Sequence, residues 1–170
     1  MYCSGDLLTL QLDEDDDAVE FVRSTGEERI ILEHGLAFWY YPDEFTVTVG
    51  QEESVTLTYT GDALPTPCYI DVSWRADSDA AYLAEGLQRQ SGQDDVEIEE
   101  GGFANVLSDD VLSLSYVVDV DGTSAAITFY VIPGEGGCYV VEDMFPLLED
   151  EDLMIMVSDE LAFVIDSMTM

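Results

Sequence analysis

Outside its carboxylates this chain holds few groups able to do covalent or acid–base chemistry. There are three cysteines, Cys3, Cys68 and Cys138, a single histidine, His34, and no lysine among 170 residues. Without lysine there is no phosphate-loop lysine, no Schiff base and no lysine general base. A Ser-His-Asp or Cys-His triad would have to run through His34, and a zinc site built from several histidines is excluded. Glu33 and Gly35 flank His34, a setting that reads as a turn between strands rather than a catalytic base. Cys68 and Cys138 each open an apolar run and each is followed by tyrosine, in CYIDV and CYVVE. If those runs are neighbouring strands, a disulfide between Cys68 and Cys138 is possible and Cys3 is left over. The competing reading is two buried free thiols in a reducing compartment. The sequence therefore predicts no catalytic residue, no metal ligand set and no cofactor.

Carboxylates are abundant instead. The chain carries 38 Asp plus Glu against four arginines, Arg23, Arg29, Arg75 and Arg89, for a formal net charge of -34. Such a field repels phosphate backbones and anionic lipid, so nucleic acid and membrane surfaces are poor partners. The run Asp13, Glu14, Asp15, Asp16, Asp17 invites comparison with an EF-hand loop, but Ser24 stands at the twelfth position, where that loop needs glutamate. It reads as a solvated hairpin tip. With so many acids some pair will always be close, which leaves a carboxylate-based hydrolase open without marking its pair. Heavy acidity without lysine resembles adaptation to high salt; the abundance of Leu, Ile, Phe and Met does not especially support it.

Hydrophobic residues make up 47% of the chain and aromatics 11%, enough for one domain with a real core. No apolar run reaches the roughly 18 residues of a membrane-spanning helix. The opening Met1-Tyr2-Cys3-Ser4-Gly5 places a cysteine before small residues, as at the start of a mature bacterial lipoprotein. That makes Cys3 a candidate lipid attachment point, although no apolar export segment stands before it. An ordinary exposed cysteine is the alternative.

The elements that would position these groups read mostly as strands. Residues 125–141, AAITFYVIPGEGGCYVV, organise the rest. Ile127, Phe129 and Val131 alternate with Thr128, Tyr130 and Ile132, which predicts a central strand covered on both faces, reversed at Pro133 and the glycines after it, and returning over 138–141. Further strands are predicted over 7–12, 18–23, 28–33, 36–41, 45–49, 54–60, 68–74, 96–100, 103–107 and 112–120, with Asp121-Gly122 as a hairpin turn. Ala80, Leu83, Ala84 and Leu87 predict a helix capped by Asp77 or Ser78 and stopped at Gly92. Leu153, Val157, Leu161 and Val164 predict a C-terminal helix with Asp150, Glu151 and Asp152 at its start and Met154, Met156, Met168 and Met170 as packing residues. The fold class that results is α+β, an antiparallel β-sheet flanked by helices with the C-terminal helix packed on the sheet.

Four strings, LAFWYYPDEFTVTV, YLAEGLQRQ, ITFYVIPGEGGCYVVE and LAFVIDSM, taken in order, resemble the PsbP-like superfamily, an antiparallel sheet with helices shared by many bacterial envelope lipoproteins. The resemblance covers residues 36–168. It implies an α/β/α sandwich over residues 36–170, preceded by an N-terminal tail and extra hairpin over 1–35 within one compact unit. Members of that superfamily are generally binding or assembly modules without catalysis. By analogy the chain is expected to be an exported, lipid-anchored envelope domain that binds an unidentified protein or envelope component. A cytosolic chaperone-like or adaptor protein of the same fold is the alternative reading, and a hydrolase the weaker one.

Overall fold

The structure, a computed structural model, describes residues 2–4, 7–10, 19–24, 26–50, 53–61, 63–101 and 110–170, with side chains described from residue 26 onward. Short strands β1 (Tyr2–Ser4), β2 (Leu7–Leu10), β3 (Val19–Ser24), β4 (Glu27–Ile31) and β5 (Ala37–Tyr40) form a five-stranded antiparallel sheet in chain order. The larger sheet holds β6 (Phe45–Val49), β7 (Ser54–Tyr59), β8 (Tyr69–Ala76), β9 (Glu99–Glu100), β10 (Leu112–Val120), β11 (Thr123–Gly134) and β12 (Gly137–Pro146). Its order is β6-β7-β8-β12-β11-β10-β9, and every pairing is antiparallel. Helix α1 (Ala80–Ser91) follows β8, and α2 (Glu151–Asp166) closes the chain.

Period-two alternation in β11 and β12 divides the interior. Phe129, Val131, Cys138 and Val140 face one way and cluster with Leu114, Val96 and Ala84 of α1. Ile132, Tyr139 and Val141 face the other way. They join Val55, Leu57, Ile70 and Val72 of the same sheet, Val157, Leu161, Val164 and Ile165 of α2, and Ile30, Phe38 and Tyr40 of the small sheet. The architecture is thus α+β: α1 covers one face of the seven-stranded sheet, while α2 and the β4–β5 hairpin cover the other. Both runs flanking the anchor turn are buried on both faces, as their composition predicts.

Several boundaries differ from expectation, each for a local reason. Asp79, not Asp77 or Ser78, caps α1 by accepting from the Tyr82 N–H at 3.1 Å. Asp77 sits at φ 52° with its N–H given to the Gly136 carbonyl at 2.8 Å, so it serves the neighbouring hairpin. Gly92 ends α1 at φ 68°, where a Cβ would be strained. β11 runs through Pro133 to Gly134, and the reversal falls at Glu135 and Gly136. Pairing with β10 ends at Leu112 opposite Val131, so Pro133 lies where β11 is an edge, a position that tolerates proline. Residues 96–100 form a strand only at Glu99 and Glu100; Val96 is buried beneath α1, its carbonyl taking the Gln88 Nε2 donor at 2.7 Å. Of the four methionines read as packing, Met168 is fully buried, whereas Met156 and Met170 are exposed. The proposed tip over 13–17 and strand over 103–107 lie outside the described residues. The boundary drawn at residue 35 falls within the β4–β5 hairpin, which is paired across it.

Candidate functional site

The sequence of β8 alternates between two environments. Ile70 and Val72 enter the core beneath α2, while Asp71, Ser73 and Arg75 line the opposite face. Antiparallel register places Asp71 between Thr56 of β7 and Glu142 of β12, and Glu142 between Asp71 and Phe129 of β11. One row of side chains across this face therefore runs from polar Thr56 through two carboxylates to apolar Phe129. Helix α1 packs on the apolar half, over β10 and β11. A cleft of about 690 Å³ opens where the helix stops covering the sheet, walled by Asp71, Ser73, Arg75 and Glu142 on one side and by Tyr82, Gly86, Arg89 and Gln90 on the other.

Like charges directly opposite in a ladder are unfavourable unless something satisfies them. Here each carboxylate has its own hydroxyl donor: Thr56 Oγ1 donates to Asp71 Oδ1 at 2.5 Å, and Tyr69 Oη donates to Glu142 Oε1 at 2.7 Å. The Tyr69 phenol is pushed well above its ordinary range, first by burial, then by its bond to Glu142 and the charges of Glu142 and Asp71. It stays a neutral donor at any physiological pH. Arg75 is exposed and has no ion-pair partner among the described residues; Arg89 makes only a solvent-exposed i,i+4 contact with Glu85 at 3.5 Å. Two of the chain's four cationic side chains thus meet at one cleft with their guanidinium groups open to a ligand. Gly86 contributes empty space, since a Cβ there would meet nothing within 4 Å.

Comparison with protein-family models, with curated proteins and with solved structures gave no match. The cleft must therefore be judged on its own chemistry.

The residues singled out from sequence do not converge on it as a group. Cys68 and Cys138 are free and buried, which corrects the disulfide. Their strands are neighbours, as the disulfide required, but antiparallel: Cys138 lies opposite Arg75 at one end of β8, and Cys68 precedes Tyr69 at the other. That separates them by about 20 Å along the strand, far beyond the roughly 7 Å a disulfide can span. They also lie in different apolar clusters, Cys138 beneath α1 with its thiol donating to the Ser78 carbonyl at 3.3 Å, Cys68 beneath α2. Burial, aided by the charge of Asp143, pushes the Cys68 thiol up to about 12; burial and then Asp79 raise that of Cys138. Neither is a nucleophile at neutral pH. Cys3 lies in β1 opposite Leu8, with its side chain outside the described residues.

His34 occupies the expected turn, but it is engaged in a way sequence did not show. Its backbone N–H donates to Glu53 Oε1 at 3.0 Å and to Tyr139 Oη at 3.2 Å, and its ring stacks on Trp74 with centroids 4.0 Å apart. Glu53 is buried and accepts from Tyr139 Oη at 2.5 Å; its second oxygen lies 3.2 Å from His34 Nε2 and has no hydrogen-bond donor unless the imidazole supplies one. The group joins the β4–β5 turn to the large sheet. Among the described residues no three His, Cys, Asp or Glu side chains converge as a metal site requires, and no helix is long and apolar enough to cross a membrane.

Proposed function

We propose that the protein is a non-catalytic binding module whose ligand enters the cleft beside α1 and presents a carboxylate to Arg75 and Arg89. The observation that carries this reading is the gathering of two of four arginines, both available to a ligand, at one cleft of about 690 Å³ in a chain with net charge -34. A field so negative rejects anions elsewhere, so an anionic group has a favourable address only where the guanidinium groups stand. Asp71, Glu142 and Gln90 would then meet donor groups of the same ligand, such as an ammonium or amide. An exported, lipid-anchored setting, with Cys3 as the attachment point and an envelope component as the partner, is part of this proposal and rests on the opening residues and on the resemblance to PsbP-like domains.

Calorimetric titration with succinate, glutamate and a short peptide bearing a free C-terminal carboxylate tests it. Arg75→Ala and Arg89→Ala should each weaken the ligand that binds by roughly 10- to 100-fold, the loss of a charge-assisted hydrogen bond. Binding indifferent to both substitutions, or no binding by any carboxylate, would sink the reading. A second reading, a carboxylate-based hydrolase, draws on the opposed pair Asp71 and Glu142 at the cleft. Both acids are already held by hydroxyl donors of the sheet, the arrangement of a fixed polar wall. Turnover of glycosidic substrates that vanishes in both Asp71→Asn and Glu142→Gln would reverse that preference.

A further inference from the structure

On the opposite face of the sheet, alongside α2, lies a second, open cavity of about 330 Å³. Its floor is Ala126, Thr128 and Tyr130 of β11 with Asp143 and Phe145 of β12, and one wall is α2, whose exposed Ser158, Ala162 and Asp166 line it. The cavity exists because small side chains face each other, Ala126 from the strand and Ala162 and Ser158 from the helix.

Asp143 is the feature in need of a reason. Its Oδ1 is shut off from water and has no hydrogen-bond partner among the described residues. Asp143 as a whole is half-buried, but buried acceptors are almost always satisfied, and a buried carboxylate oxygen with no partner is costly to hold. None of the cations whose surroundings are described relieves it: Arg75 and Arg89 line the cleft on the other face, and Arg29 lies over the Trp39 ring of the small sheet, 5.6 Å from its centroid. Asp166 at the end of α2 adds a second negative group to the rim, and the rings of Tyr130 and Phe145 add π faces. Burial pushes the Asp143 carboxyl up to about 7, as an uncompensated acid must be.

We propose that this cavity is a binding site for a small organic monocation, an alkylammonium whose charge sits on Asp143 and whose carbon atoms fill the space between Ala126, Phe145 and Ala162. Two carboxylates on an otherwise largely apolar wall are too few oxygens for calcium, which takes six to eight, but suit one ammonium group flanked by aromatic rings. The site lies on the face of the sheet away from the arginine cleft and does not depend on it.

Titration of the full chain with n-butylammonium and tetramethylammonium chloride, followed by backbone amide NMR at constant ionic strength set with sodium chloride, decides the matter. Saturable shifts confined to Ala126, Thr128, Tyr130, Ser158 and Ala162 are expected for at least one of the two cations, weakened at least tenfold in Asp143→Asn. Ala162→Leu fills the cavity without touching a charge and should also abolish them. Shifts scattered over the acidic surface, shifts reproduced by sodium alone, or equal affinity in the native chain and both variants would overturn the proposal.

Discussion

Replacing Asp143 by asparagine should stabilise the protein at pH 8 and leave it nearly unchanged at pH 4. The folded chain holds the Asp143 carboxyl at about 7 because burial disfavours its charge, against 3.8 for the ordinary group. Between those values the folded state keeps a proton that the unfolded chain has released. Stability contributed by the protonated carboxyl is therefore fully present below about pH 4, falls as pH rises through that window and is gone above about pH 7. A shift of about three units corresponds to about 4 kcal/mol at most, since each unit is worth 1.36 kcal/mol. Asparagine carries no charge to bury, so the variant escapes this loss. Tyr130, Asp166 and Cys68 are the titratable neighbours, and the acids Asp143 and Asp166 both raise the Tyr130 phenol. Urea unfolding of both proteins at pH 4.5, 6 and 8, at one ionic strength, gives the difference in stability directly; subtracting the variants cancels the titration of the other acids. A difference that grows by 2 kcal/mol or more from pH 4.5 to pH 8 is expected. Parallel curves would show that water or a neighbour already satisfies the carboxylate, and the reasoning from burial would fail.

Gly86 sits inside α1 with open space around it, so Gly86→Ala should raise stability by about 1 kcal/mol in thermal or urea unfolding, whereas Gly86→Trp should close the cleft and abolish carboxylate binding. Tyr139→Phe removes the hydroxyl that donates to buried Glu53 and should cost about 1–3 kcal/mol; a neutral outcome would mean that His34 satisfies that oxygen alone. Cys68 and Cys138 should resist a thiol reagent in the native state and react together on unfolding, and a reduced mass equal to the unreduced one is expected. An intact mass on protein from its native cell fraction should show lipid on Cys3; an unmodified Cys3 would end the anchor reading.

Much of the fold was legible because its signals are local. The period of two in β11 and β12 and the i, i+3, i+4 spacing of Ala80, Leu83, Ala84 and Leu87 need no partner to be read. What sequence left hidden depends on pairing. Asp71 and Glu142 are 71 positions apart, and only the register of β8 against β12 makes them neighbours. The alternation Asp71, Ser73, Arg75 does show one polar face on an otherwise buried strand, which was the available signal. The same register undid the disulfide, since two cysteines each at the start of neighbouring strands lie at opposite ends once the strands are antiparallel. Asp143 gave no sign at all: Glu142 and Asp143 are adjacent acids in one strand, and their fates differ because one faces the uncovered half of the sheet and the other faces α2.

The β4–β5 hairpin belongs to the structure that closes the α2 face, for it is fastened both along β5 and at its turn. Along β5, Ala37 and Thr169 exchange backbone hydrogen bonds at 2.8 Å each way, and the Trp39 N–H donates to Ser167 Oγ at 2.8 Å. The open edge of β5 is thereby satisfied by the residues that leave α2, which also hides an edge that would otherwise invite strand addition. At its turn, His34 is tied to Glu53, just before β7, and to Tyr139 of β12. These ties link three separate parts of the chain, so loosening the hairpin must loosen α2 with it. That coupling bears on Asp143, half-buried alongside α2 with its Oδ1 unpartnered: the helix is held down by the small sheet as well as by its own apolar stripe, so the cost of that oxygen is offset by contacts that do not touch it.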